Sequence, residues 1–294
     1  MNMKNNIEEF ALFGPAGNSE DFYEAGNRSV YQVPDWLEKN NLSAFEYQCG
    51  RGVKISDDSA QDFGKLAKEK NIRLSVHAPY YISLSSTEEE KRDNSINYIL
   101  STLNAAKHMG ADRIVIHSGS CGKITRAEAL ALATDTLKRA VKAADQKGYG
   151  NIHLCPETMG KVKQLGNIDE VIKLCLIDER IIPTIDFGHV NAMSLGKYNT
   201  KDAIAEIFDK IYNKLGEYRA KNFHAHYSRI EYTRAGEKKH HTMAEKEYEP
   251  DFEPIAELIA ERNLTPRIIC ESAGTQTADA VYMQNMYREF LSRI

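Results

Sequence analysis

The chain has 294 residues, of which 42% are hydrophobic and 27% charged, the balance of a folded enzyme rather than a disordered or fibrous chain. Its formal net charge of −4 excludes a global pull toward nucleic acid or anionic membrane, so any such attraction has to be local. No apolar run reaches the ~18 residues of a membrane span, the N-terminus from Met1 to Glu9 lacks a signal-peptide core, and the five widely spaced cysteines form no disulfide framework, so the expectation is a cytoplasmic protein with no membrane partner.

Short apolar runs alternate with amphipathic stretches along the chain. The first run is Phe10–Phe13. A long connection follows, opening with Gly14-Pro-Ala-Gly17 and reaching about Val33. Pro15 makes that opening a poor match to the G-x-G-x-x-G turn of a dinucleotide-binding doubly wound sheet. Ala44–Cys49 and Ile72–His77 read as the next strands. Thr87–Met109 places Ile96, Ile99, Leu100, Leu103 and Ala106 on one helical face, at spacings of three and four. Strand Arg113–His117, helix Thr125–Gln146, and strands Ile152–Glu157 and Ile181–Asp186 come next. Helix Ala203–Leu215, strand Asn222–His226 and a second long connection, Tyr227 to about Pro250, follow. Strand Arg267–Glu271 and a helix over roughly Ala278–Leu291 close the chain. Most strand runs are continuously apolar, as parallel strands covered on both faces require. Cys155 and Cys270 fall in such runs and read as buried thiols. Eight strands alternating with helices predict an α/β fold, a (β/α)8 TIM barrel, as a single domain over residues 1–294.

Six predicted strands carry a metal-ligand residue type at or near their C-terminal ends: His77, His117, Glu157, Asp186, His224 and Glu271. In a barrel these ends share one rim, where active sites are built. Buried ionisable groups at that density are costly unless compensated, and metal ions are the usual compensation. Seven of the nine histidines lie at strand ends or in the loops after them; only His108 and His153 do not. Mixed imidazole and carboxylate ligation suits Zn2+, Mn2+ or Fe2+ better than Ca2+. His224 and His226 share a strand face by period two, so one could ligate an ion and the other support it. No G-x-S-x-G elbow, P-loop or C-x-x-C is present, which argues against the chemistries that use them.

The motifs resemble those of the endonuclease IV family, which cleaves DNA at abasic sites. They are His77-Ala-Pro-Tyr80, His117-Ser-Gly-Ser120, Glu157-Thr-Met-Gly160, Asp186-Phe-Gly-His189, Phe223-His224-Ala-His-Tyr-Ser228, Lys239-His240-His241 and Ile269-Cys-Glu271. The resemblance runs from about residue 72 to 275; residues 1–70 match poorly. It implies a TIM barrel with two to three metal ions, usually Zn2+. By position, His77, His117 and Glu157 would hold the first ion. Glu157 would bridge to a second, held also by Asp186, His224 and Glu271, and His189 and His240 would hold a third. Glu157 and Glu271 are then the catalytic candidates. Tyr80 matches a tyrosine on the DNA-facing side of the family's site.

The chain departs from the pattern where the family has the Asp of Asp-x-His; Lys238 stands there, which removes one expected ligand of the third ion and leaves Glu237 or His241 to replace it. The implied partner is DNA containing abasic sites, met by basic rim loops. Arg51, Lys54, Lys161, Lys163, Arg229, Arg234, Lys238 and Lys239 supply the charge, and Arg229, Lys238 and Tyr80 are the substrate-binding candidates. Tyr80 and Tyr227 could stack on a base. The alternative is a sugar isomerase or epimerase of the xylose isomerase-like superfamily, which holds one divalent ion through Glu157, Asp186, a seventh-strand His and Glu271. The additional histidines favour the nuclease-like reading.

Overall fold

A computed structural model describes residues 9–294. The first eight residues, which make up nearly all of the segment read above for a signal peptide, lie outside the described residues. Strand β1 (Leu12–Pro15) starts later than the apolar run suggests, and Gly14 and Pro15 belong to it. Gly14 is required by close approach: a Cβ would lie 1.7 Å from the carbonyl oxygen of Ala44 on the next strand.

The first long connection carries α1 (Glu20–Glu24), a 3-10 turn (Val30–Gln32) and α2 (Val33–Lys39). Then follow β2 (Ala44–Gln48), α3 (Asp57–Glu69), β3 (Arg73–His77), α4 (Glu89–Met109), β4 (Arg113–Ile116), α5 (Arg126–Gln146) and β5 (His153–Pro156). The second half runs α6 (Ile168–Cys175), β6 (Thr184–Asp186), α7 (Phe187–Met193), α8 (Lys201–Leu215), α9 (Glu217–Lys221) and β7 (His224–Tyr227). It ends with β8 (Arg229–Thr233), β9 (Gly236–His241), α10 (Glu253–Glu261), β10 (Arg267–Cys270) and α11 (Gln276–Leu291). The second long connection is thus not an open loop: β8 and β9 pair as an antiparallel hairpin inside it.

Local chemistry sets the helix limits. Thr125 and Glu128 form a capping box at the start of α5, and Asn167 and Glu170 form one on α6, each satisfying end-of-helix N–H groups. Arg126 then clamps Glu170 with two hydrogen bonds of 2.7 Å, fastening α5 to α6. On α4, Ile96, Ile99, Leu103 and Ala106 are buried as their spacing predicts. Each of the larger three contributes about 1.5–3 kcal/mol of apolar burial.

Every barrel contact is parallel. One sheet runs β1-β10-β7-β6 and the other β2-β3-β4-β5. Bridges between Ala16 and Glu46 and between Glu157 and Thr184 join them into a closed barrel of eight strands. At the N-terminal end of the barrel, Arg267 donates to the Leu74 carbonyl and to Asp112, each at 2.8 Å. Burial pushes the Asp112 carboxyl up, but Arg267 and Arg113 outweigh it and hold the acid well below the carboxylate range. The five cysteines are buried and unpaired. No helix among the described residues is long and apolar enough to cross a membrane.

Candidate metal centre at the barrel rim

Glu157, the first residue past β5, is the hub of the rim. It is 1% exposed, and its two oxygens face different histidines. Oε2 lies 3.1 Å from His117 Nε2 and 3.4 Å from His77 Nε2. Oε1 lies 3.1 Å from His226 Nδ1 and 3.4 Å from His189 Nδ1. Burial pushes its carboxyl up, yet the attraction of His226 and hydrogen bonds from His117, His189 and His226 leave it well below the carboxylate range. Asp186, at the end of β6, accepts from the His189 N–H at 2.7 Å through Oδ1. Its Oδ2 is buried without a hydrogen-bond partner. Burial raises the Asp186 carboxyl, and nearby Glu271 and Glu157 add to that against the pull of His189.

The ligand atoms fall into groups whose members all lie within 4.8 Å of one another. Glu157, Asp186, His226 and Glu271 form one; His77, Glu157 and His226 a second; His189, Glu237 and His240 a third; and Glu46, His224 and His226 a fourth. Three or four carboxylates and imidazoles around one point, with an orphaned buried carboxylate oxygen on Asp186 in the four-residue group, are a donor set that fits a divalent cation. Backbone and hydroxyl oxygens orient three of the rings. His77 Nδ1 meets the Ala78 carbonyl at 2.9 Å, His189 Nδ1 the Thr158 carbonyl at 3.0 Å and His240 Nδ1 Ser228 Oγ at 2.8 Å. A carbonyl can only accept, so Nδ1 carries the proton in His77 and His189 and Nε2 is free to ligate.

The structure brings His77, His117, Glu157, Asp186, His189, Glu271 and His240 to the rim. It sets His224 apart from them. His226, not His224, sits beside Glu157 and 3.4 Å from Glu271, because the β6–β7 register sets Asp186 opposite His226. His224 lies two residues, about 6–7 Å, further down the strand. There it faces Glu46 Oε2 at 2.9 Å, fully buried. Burial pushes its imidazole down to about 3, Glu46 only partly opposing, so it is neutral.

The hairpin delivers the third group. Gly236, at φ +92°, packs so tightly on the β5 loop that a Cβ would stand 2.2 Å from the Gly160 carbonyl, a backbone shape that favours glycine. The Glu237 N–H donates to that same carbonyl at 2.9 Å. Glu237 Oε2 then lies 3.5 Å from His189 Nε2, and Oε1 3.6 Å from His240 Nε2. His240 and, less directly, His189 hold its carboxyl down at about 2, against burial.

Three substrate-side expectations need correction. Arg229 is buried, not on the rim; its guanidinium binds the Tyr248 carbonyl and Asp251 at 2.5 Å, so it holds the hairpin's return. Lys238 is exposed and pairs with Glu231 at 2.6 Å, away from the third group. Tyr227 points outward from the strand because its neighbour His226 points inward. It is fully buried, donates to the Pro250 carbonyl at 2.7 Å and offers no stacking face. His241 also stays out of the third group, stacked on Tyr248 at 3.7 Å and bound to Glu245. Tyr80 is 50% exposed at the rim beside Tyr81, with Arg51 Nε donating to its hydroxyl at 3.1 Å. Glu46 was not anticipated. Its only sequence signal is a lone acid inside the strand run Ala44–Cys49.

Comparison with known proteins bears on this arrangement. The profile of the xylose isomerase-like TIM barrel matches residues 34–289. An uncharacterized protein of Methanocaldococcus jannaschii is 32% identical over 287 residues, 97% of this chain and 99% of that protein. A probable endonuclease 4 of Malacoplasma penetrans is 36% identical over 116 residues, which span 37% of this chain and 39% of that protein. Among solved structures, a D-tagatose 3-epimerase-like protein superposes with a TM-score of 0.69 at 19% identity, covering 88% of this chain and 93% of its own. Endonuclease IV of Thermus thermophilus gives 0.68 at 15%, covering 98% and 100%. Both structures share the barrel, and at such identities the likeness is one of fold.

Proposed function

The chain belongs to the xylose isomerase-like TIM barrel family, and on that premise we propose that it is a metal-dependent phosphodiester hydrolase of the endonuclease IV type, acting at abasic sites in DNA. The observation that carries this reading is the donor count. Glu157, Asp186, His226 and Glu271 suffice for one ion, yet His77 and His117 face the other oxygen of Glu157 and His189, Glu237 and His240 form a further group. In a single-ion sugar enzyme those additional side chains would be surplus or would serve sugar hydroxyls instead of an ion. The partial match to a probable endonuclease 4 supports the same direction.

In this reading Glu157 would help hold two divalent cations, Zn2+ with Mn2+ or Fe2+ as alternatives, one with His77 and His117 and one with Asp186, His226 and Glu271. Glu237 takes the place expected of an aspartate at the third. Bound divalent cations supply Lewis acidity that stabilises charge on phosphate oxygens and acidifies water. Glu271, partly exposed at 17%, accepts the proton of the attacking water at its carboxylate. Tyr80, Tyr81 and Arg51 form an exposed aromatic and cationic edge suited to stacking on an unpaired base. Arg51, Lys54, Lys161, Lys163, Arg234 and Lys239 are exposed and give the local positive charge a phosphate backbone needs. Five free cysteines suit a reducing compartment, and we take that to be the cytoplasm.

The test is metal quantification on the purified protein, followed by incubation with an abasic duplex. Two or more ions per chain and cleavage to 3′-hydroxyl and 5′-deoxyribose-phosphate ends are expected. The second reading, a sugar epimerase, is favoured by the completeness of the four-residue Glu157 group on its own. One ion per chain, an inert duplex and epimerisation of a ketose would establish it instead.

A further inference from the structure

Below the rim, across the barrel from β7, Glu46 of β2 is a fully buried carboxylate with four polar side-chain atoms within 3.1 Å of its oxygens. Oε1 receives Gln48 Nε2 at 3.1 Å and lies 3.0 Å from His226 Nε2, off the line of an ideal hydrogen bond. Oε2 receives Ser75 Oγ at 3.0 Å and lies 2.9 Å from His224 Nε2. Both histidines and the acid are 0% exposed. No step proposed above uses Glu46.

We propose that Glu46 is a positioning residue for the rim metal centre: it fixes the proton of His226 on Nε2 and so presents Nδ1, unprotonated, to the ion held with Glu157, Asp186 and Glu271. This rests on the metal reading given above. The argument is one of pattern. His77 and His240 each have the ring nitrogen remote from the carboxylates held by a neutral oxygen, from Ala78 and Ser228. His226 is reversed, with Nδ1 toward Glu157 and Glu271, and its remote nitrogen meets a carboxylate. A carboxylate behind a ligating imidazole orients the ring and raises its basicity toward the metal. Ser75 and Gln48 in turn donate to Glu46, and His224 lies beside its other face, which orients the acid toward His226. His224 is then the support for this acid rather than a ligand.

Zinc titration of the metal-free protein against a chromophoric chelator tests this. Glu46→Gln, which keeps volume and hydrogen-bonding capacity, should weaken one ion by about 10- to 100-fold and leave the His189–Glu237–His240 ion unchanged. Its melting temperature without metal should stay close to that of the wild type, and Glu46→Asp should recover part of the affinity. Unchanged affinity in a folded Glu46→Gln protein, or equal weakening of every ion, overturns the proposal. If the variant does not fold, long-range 1H–15N spectra of the zinc-bound wild type decide: a proton on His226 Nε2 supports it, and a proton on Nδ1 overturns it. Wild-type protein that takes up no zinc overturns the metal reading itself, and this inference with it.

Discussion

Glu237 and His240 address the same ring, His189, although three residues of one strand separate them. In a regular strand they would face opposite ways. On β9 they do not, because Glu231 pairs with Lys239 while its neighbour Tyr232 pairs with Glu237, leaving Lys238 as an extra residue. This bulge turns the acid to the face of His240 and the lysine to solvent. Glu237→Ala should therefore lower metal content by about one ion per chain, since a carboxylate adds charge as well as a lone pair. Lys238→Asp should leave metal content unchanged. A gain of metal in Lys238→Asp would show that the bulge does not set the ligand.

The strand-seven histidines should separate cleanly. His226→Ala should lose the ion shared with Asp186 and Glu271. His224→Ala should retain the ion count and instead destabilise the fold by about 1–3 kcal/mol, the cost of leaving a buried polar partner unsatisfied. Elemental analysis beside denaturant unfolding distinguishes the two, and the reverse pattern would return the ligand role to His224.

Glu157→Gln should cut activity on an abasic duplex by about 100-fold or more, given that the loss of a single electrostatic donor already costs that much in other active sites. Circular dichroism should change little, because the barrel packs around the apolar strand residues rather than this side chain. A variant that remains active rules out the bridging role.

Without metal, stability should fall on the alkaline side. Burial lowers the His77 imidazole, but Glu157 and Glu46 outweigh it and raise it to about 9 from an ordinary 6.5. A raised histidine pKa stabilises the fold fully below about 6.5 and loses that contribution as pH rises through about 9. The metal-free protein should melt at lower temperature at pH 9.5 than at pH 6, whereas metal uptake, which needs unprotonated ligands, should strengthen with pH. A melting temperature flat across that range in the metal-free protein would remove His77 from the charged cluster.

The sequence by itself determined the barrel and the height of its chemistry. Apolar runs interrupted by helical stretches mark eight strands, and residues such as His77, Glu157 and Asp186 end those runs, so chain connectivity alone carries them to one rim. Period two also places His224 and His226 on one face. What it could not assign is which of the two sits beside Glu157 and Glu271, since that depends on the β6–β7 register, a pairing between segments some forty residues apart. Glu46 carries no motif of its own; its two histidine neighbours lie on β7, across the barrel, and only closure brings them together. Lys238 occupied the expected ligand position until the hairpin docked on Gly160 and the bulge shifted the face by one residue. Local periodicity fixes the direction of a side chain relative to its own strand. Register, closure and bulges are settled by packing between strands, and they decide which side chains meet.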